Sequence, residues 1–332
     1  MKRIMSPIAM VLGLKTPFMV THHVTYRCNL DCDMCCMKRL PTASEMSTAA
    51  CINMQRDFSK HGTMVWVYSG GEPLVREDLE QLLISANSMG MKTVLKTNGV
   101  LLPQRVKIGK LAWAIAIGID GGRQSHESLR GIGTFDKVVE GLETLARMEP
   151  MRPRVTIHTI LNSRSIEPNQ LDEVLRLASD CGVQISFTLA FAHRADDRLL
   201  NNARRYTPTA EQFQEFLAWL EREKTGPRAL ALQDDPAFFR ELGNFPDYPR
   251  RTPCQASLRH CAIDPTGLVL PCADLFDHPI AFLPRGKRFD YCYQGFTKLP
   301  KANSCGKQYC YTAKTNYILG SPWRLFRHFL AG

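Results

Sequence analysis

The chain is predicted to be an α/β protein built on parallel strands and followed by a small cysteine-rich unit. Three observations predict this. Short apolar runs alternate with amphipathic, helix-like runs over residues 18–191. Polar, glycine-containing motifs fall at the ends of successive apolar runs, where the active sites of β/α proteins gather. Six of the twelve cysteines crowd into residues 254–310.

Candidate strands are Phe18–Tyr26, Met64–Tyr68, Lys92–Lys96, Ala112–Ile119, Arg154–Ile160 and Gln184–Phe191. Helix-like segments lie between them at Ser47–Lys60, Glu77–Met89, Thr134–Met148 and Glu167–Asp180; the connection around Leu101–Lys110 reads as short and weakly helical. Such alternation argues for parallel β/α units. Six strands are too few for a closed eight-stranded barrel, which leaves an open partial barrel or a doubly wound sheet. Past residue 195 the pattern breaks. A helix is expected from the cap signal Thr207-Pro208, with Phe213, Phe216, Leu217 and Leu220 on one face. Domain boundaries are expected at 1–17 (an N-terminal extension), 18–195 (the core), 196–253 (a bridging helical region), 254–320 (the cysteine-rich unit) and 321–332 (an amphipathic tail).

Composition narrows the function classes. No stretch approaches the roughly twenty apolar residues that a membrane-spanning helix requires. The short apolar run Ile8–Leu14 is interrupted by Lys15 and Pro17 and has no cleavage site after it, so it does not read as a signal peptide. A cytoplasmic location is expected, and with it metal or redox use of the cysteines rather than a disulfide framework. The formal charge of +10 is scattered rather than clustered, and no nucleic-acid module is recognisable. In the tail, Trp323, Phe326 and Leu330 share a helical face; docking on the protein is favoured over peripheral membrane contact, because nine residues are short for an independent helix.

The chemistry concentrates at strand ends. Cys28, Cys32 and Cys35 form C-x3-C-x2-C just after the first strand. A closed metal site takes four protein ligands, and three leave one position open for chemistry. The second strand ends in Ser69-Gly70-Gly71-Glu72-Pro73, where glycines permit close backbone approach and a glutamate can grip an ammonium group. The third ends in Thr97-Asn98-Gly99 and the fourth in Asp120-Gly121, followed by Arg130-Gly131, where Arg130 could pair with a carboxylate.

In this order and spacing the motifs resemble those of radical S-adenosylmethionine (SAM) enzymes. The resemblance covers Thr25 to about Phe191 and implies a partial (β/α)6, TIM-like barrel with a small C-terminal cysteine-rich α+β domain. It implies that Cys28, Cys32 and Cys35 hold a 4Fe–4S cluster whose open iron is chelated by SAM. Gly70, Gly71, Glu72 and Pro73 are implied to meet the methionine amine, Asn98 the ribose, and Asp120 and Arg130 the cofactor, with Arg130 on its carboxylate. Two positions depart from the pattern. Met34 stands where an aromatic residue is frequent, and a thioether can still pack on adenine. Gly118 stands where a serine is frequent, which removes one side-chain contact.

Downstream, Ala262–Pro271 reads as a hairpin around Asp264-Pro265-Thr266-Gly267. Cys254 and Cys272 with Gly267 between them resemble the opening of the auxiliary-cluster domains called SPASM and twitch. This implies a second 4Fe–4S cluster on Cys254, Cys272, Cys305 and Cys310. Cys261 competes with Cys254 because it lies almost opposite Cys272 in the hairpin. Structural zinc is the alternative metal.

The resemblance implies a reaction with a reductant such as flavodoxin or ferredoxin. SAM is cleaved reductively and a 5′-deoxyadenosyl radical takes hydrogen from a substrate, leading to dehydrogenation, epimerisation or bond formation. Cys261 and Cys292 are the candidate hydrogen donors for epimerisation. Only 27 residues precede Cys28, too few for a leader-peptide-binding domain. The expected substrate is therefore a small natural product of the sugar, nucleoside or aminoglycoside type. A peptide is the alternative, and an iron–sulfur electron carrier is the non-enzymatic one.

Overall fold

The computed structural model describes residues 17–35, 37, 40, 44–148, 154–190, 204–242 and 259–270. In chain order the strands are β1 (Met19–Thr25), β2 (Val65–Gly70), β3 (Lys92–Thr97), β4 (Ala114–Gly118), β5 (Arg154–Leu161), β6 (Gln184–Leu189), β7 (His260–Ile263) and β8 (Val269–Leu270). The helices are α1 (Thr48–Lys60), α2 (Leu79–Ser88), α3 (Leu102–Leu111), α4 (Arg123–Arg130), α5 (Thr134–Ala146), α6 (Pro168–Asp180), α7 (Ala210–Glu223) and α8 (Pro236–Arg240). The chain divides into two compact units, residues 1–27, 40–95 and 251–332 in the first and 28–39 and 96–250 in the second.

In the first unit β1 pairs in parallel with β2, and β2 with β3. Each strand carries apolar residues toward α1 and α2. Ser47 caps α1 by accepting from the Ala50 amide, and Phe58 of that helix meets Trp66 edge-on at 5.6 Å. Tyr68 reaches α2, donating its hydroxyl to the Leu82 carbonyl at 2.6 Å. On its other side β1 pairs in parallel with β7, Met19 opposite His260 and Val20 opposite Cys261. β8 returns antiparallel to β7. The predicted hairpin thus forms, and its first arm extends the sheet beside β1. Asp264 fixes its turn by accepting from the Thr266 amide, the Thr266 hydroxyl and the Leu268 amide, each at 2.8 Å.

In the second unit β4, β5 and β6 are parallel neighbours. One face is apolar and helix-covered: Phe187 of β6 meets Phe216 at 5.4 Å and Trp219 at 5.8 Å, both from α7. Gly141 of α5 permits close approach to α3, since a Cβ there would lie 2.8 Å from the Leu102 Cβ. Three expectations shift. The weak connection before β4 is a ten-residue helix, α3, bent at Arg105. α4 occupies a segment read only as a motif. α7 starts at Ala210, not at Thr207-Pro208, because Thr209 and Gln212 form a reciprocal capping box. Its buried face includes Trp219 rather than Leu217.

Candidate functional site

The first unit presents the Gly-Gly-Glu-Pro strand end. The glycines answer to the protein's own backbone: a Cβ at Gly70 would lie 2.2 Å from the Thr25 carbonyl oxygen, and one at Gly71 2.2 Å from that of Arg27. Gly70 also takes a φ of +123°, open only to glycine. This contact lets the Gly71 and Glu72 amides donate to the Thr25 and Arg27 carbonyls at 2.8 and 2.9 Å. Glu72 is fully buried, and its Oε1 caps the short turn Pro73–Val75 through the Leu74 amide at 2.9 Å. Pro73 suits the first position of that turn, where no amide donor is needed.

The same unit also joins Arg27 to Glu45 within itself. Arg27 donates to both Glu45 oxygens at 3.1 Å, and Thr25 also donates to Glu45. Burial opposes ionisation of Glu45, but the bonds from Arg27 and Thr25 outweigh it and hold the carboxyl below its ordinary range. Arg76, 5% exposed, ties the surroundings together: it donates to the carbonyls of Val24 and Met46 and pairs with Asp78. The Met46 amide in turn donates to Pro265 in the hairpin turn at 2.8 Å.

The second unit holds Cys28, Cys32 and Cys35. Cys28 and Cys32 are half-buried and Cys35 is exposed. The Cys28 sulfur lies 3.4 Å from the Leu30 amide and 3.8 Å from Asn98 Nδ2, the donor geometry that suits a thiolate. Asn98 is further fixed by donating to Asn29 at 2.8 Å. Burial pushes the Cys32 thiol up to about 12, and the Arg130 guanidinium works against that rise. Met34 is half-buried between the last two cysteines. Among the described residues, no three His, Cys, Asp or Glu side chains are gathered around a single ion position.

Arg130 and Asp120 form a buried pair. Arg130 Nε lies 2.8 Å from Asp120 Oδ2, and Asp120 Oδ1 accepts from the Ile160 amide at 2.9 Å. Burial opposes the Arg130 charge, but Asp120 and the nearby thiols hold the guanidinium above its ordinary value. Asp120 is fully buried and both its oxygens are engaged, one by Arg130 and the other by the Ile160 amide. Gly118 gains a reason as well. A Cβ there would lie 2.6 and 2.9 Å from the two terminal nitrogens of Arg130. The residue that replaces the frequent serine is the one that lets the guanidinium settle over β4. His158 stands in register with Gly118 and Ser186, on the strand face opposite the helix-covered Ile157 and Phe187.

The donor set fits the implied cluster and SAM. Three thiols at C-x3-C-x2-C spacing, amide donors on one sulfur and a guanidinium beside another suit an anionic thiolate-bound cluster. Cys254, Cys272, Cys292, Cys305 and Cys310 lie outside the described residues, as do Cys36 and the 321–332 tail. Cys261 lies within them and is 1% exposed. Its register partner Val20 neighbours Trp66, so it shares the face covered by α1. The structure thus places the Cys261 thiol within the packed sheet face rather than at the surface.

Comparison with known proteins agrees with this geometry. Residues 23–178 match the Radical SAM superfamily, and this part of the chain is a radical SAM domain. The protein is therefore an enzyme of the class that uses SAM with a 4Fe–4S cluster. It is 29% identical to the mycofactocin maturase MftC of Mycobacterium tuberculosis over 279 residues, covering 81% of this chain and 68% of that protein. Among solved structures, Streptococcus suis SuiB bound to SAM superposes with a TM-score of 0.64 at 14% identity, over 80% of this chain and 62% of SuiB. SuiB bound to its precursor peptide SuiA gives 0.66 at 14% identity, over 90% and 71%. The chain thus spans about two thirds of these proteins, and the likeness to SuiB establishes the partial-barrel fold. No helix among the described residues is long and apolar enough to cross a membrane.

Proposed function

We propose that this radical SAM enzyme modifies a peptide. The observation that carries the reading is the similarity to a maturase, MftC, over four fifths of the chain. A fold neighbour, SuiB, solved with a precursor peptide supports it. The preference for a sugar, nucleoside or aminoglycoside rested on the shortness of the segment before Cys28, and the maturase similarity favours the alternative.

The residues divide the work. Cys28, Cys32 and Cys35 hold the cluster, which when bound supplies the electron that cleaves SAM. Gly70, Gly71, Glu72 and Pro73 form the seat for its amine, Asn98 steadies the first cysteine, and Arg130 receives its carboxylate with Asp120 behind it. The C-terminal unit takes an auxiliary cluster on Cys254, Cys272, Cys305 and Cys310, and about eight irons per chain are expected after reconstitution.

The test is anaerobic. Reconstituted protein receives reductant, SAM and short peptides encoded beside its gene. A peptide is expected to change mass in step with 5′-deoxyadenosine release. Release stimulated only by sugars, nucleosides or tetrapyrroles would overturn the peptide reading. No release from fully loaded protein would overturn the assignment of the SAM-binding residues.

A further inference from the structure

The stretch between Cys32 and Cys35 is anchored at one residue, Asp33. Its amide donates to the Leu129 carbonyl at the end of α4, at 3.2 Å. Its Oδ2 accepts from the Tyr206 hydroxyl at 2.7 Å and from Arg205 Nη2 at 3.1 Å. Asp33 and Tyr206 are 173 residues apart in sequence. Tyr206 is itself held rigidly. It is 1% exposed and closes the single turn Arg204–Tyr206. Its carbonyl accepts from the Ser163 amide at 2.9 Å, and the Ser163 hydroxyl donates to the Arg205 carbonyl at 2.9 Å. The guanidinium groups of Arg164 and Arg205 lie over its ring, at 5.5 and 5.0 Å from the centroid. Gln212 of α7 donates to the Ser163 carbonyl at 3.0 Å and so ties the arrangement to that helix.

An aromatic ring fixed on three sides thus aims its one polar atom at a carboxylate beside two cluster cysteines. Asp33 is half-exposed, so its ion pair with Arg205 is weak in water. The directional hydroxyl bond from a buried ring does not share that weakness. We propose that Tyr206 is a positioning residue for the cluster: its bond to Asp33 holds the Cys32–Cys35 stretch in the shape that receives iron. This rests on the radical SAM reading for the identity of the group, while the latch itself is a property of the chain without iron.

Tyr206→Phe isolates the hydroxyl, because the ring and its stacked guanidinium groups remain. In protein free of iron, amide exchange at Cys32–Cys35 is expected to speed up roughly five- to tenfold, the scale of one lost hydrogen bond at a half-exposed acceptor. The unfolding temperature stays near that of the parent protein. In loaded protein, iron release to excess chelator speeds up by a similar factor. Asp33→Ala, which removes the acceptor, has the same effect, and the double variant adds little to either single one. Exchange within twofold of the parent would overturn the proposal, as would fully additive effects. If Tyr206→Phe lowers the unfolding temperature, Asp33→Ala at the half-exposed partner carries the exchange test alone. Failure of the parent protein to bind iron would count against the cluster assignment, and the exchange result would still decide the latch.

Discussion

Asp120→Ala tests the buried pairing of Asp120 with Arg130. Asp120 is fully buried, and the Arg130 side chain is 10% exposed. Removing one partner of a buried pair costs about 3–5 kcal/mol, because the other charge is left uncompensated. The Ile160 amide also loses its acceptor, a penalty of about 1–3 kcal/mol that overlaps with the first. A total near 4 kcal/mol is expected. For a domain of about 150–250 residues each kcal/mol moves the unfolding midpoint by roughly 2–4 °C, so a fall of about 8–16 °C follows. The assay is calorimetry or circular dichroism on iron-free protein. Asp120→Asn keeps an oxygen for the Ile160 amide and should fall in between. A drop below about 3 °C for Asp120→Ala would refute the reasoning, since it would mean that Arg130 is satisfied without its partner.

Three further outcomes are expected. Burial holds His22 down to about 3, so it stays neutral in the fold while the unfolded chain takes up a proton below its ordinary 6.5. Its contribution is present above that value and is lost as pH falls toward 3, by about 1.4 kcal/mol per pH unit; His22→Leu should flatten the acid limb of stability between pH 7 and 5, and an unchanged limb would count against it. In iron-free protein at pH 8, a thiol reagent should modify exposed Cys35 and spare buried Cys51 and Cys261, as peptide mapping would show; burial raises Cys51 to about 11, so the stability its neutral thiol supports declines from pH 9 upward. Asp264→Ala removes three hydrogen bonds from the hairpin turn and should speed amide exchange in residues 260–270, while equal protection would show that the turn holds without its side chain.

Much of the core was legible because it obeys a period. β5 alternates buried and half-buried residues along its length, and α5 and α6 present apolar faces at helical spacing. The motifs at strand ends were legible as residue types, but not in what they touch. Gly70 and Gly71 read as room for a ligand, and the structure adds that a Cβ at either would also meet the Thr25 or Arg27 carbonyl oxygen. α4 escaped notice because Arg-Gln-Ser-His-Glu-Ser-Leu-Arg is almost wholly polar and buries only Ser125, His126 and Leu129. The bond from Tyr206 to Asp33 leaves no periodic trace, since two polar residues far apart in sequence meet only through the fold. The turn chemistry of Asp264–Gly267 announced a hairpin, but a four-residue strand says nothing about which neighbour it will choose.

That choice bears on the C-terminal cysteines. Because β7 pairs with β1 in parallel, the period of two assigns each of its residues to a face. Cys261 falls with Val20, and the ring next to Val20 in β2, Trp66, packs against Phe58 of α1. An iron ligand needs a thiolate open to the metal, and a hydrogen donor needs a path to the substrate radical. Cys254 and Cys292, the other residues in those two proposals, lie outside the described residues. The hairpin also reaches the segment that follows the SAM-cluster cysteines, through the bond from Met46 to Pro265, and Gly267 packs so closely on Met46 that a Cβ would lie 2.9 Å from its sulfur. Met46 is held in turn by Arg76, whose second carbonyl partner is Val24 in β1. A change at the hairpin tip is thus one residue removed from Glu45, which Arg27 and Thr25 hold in the same unit.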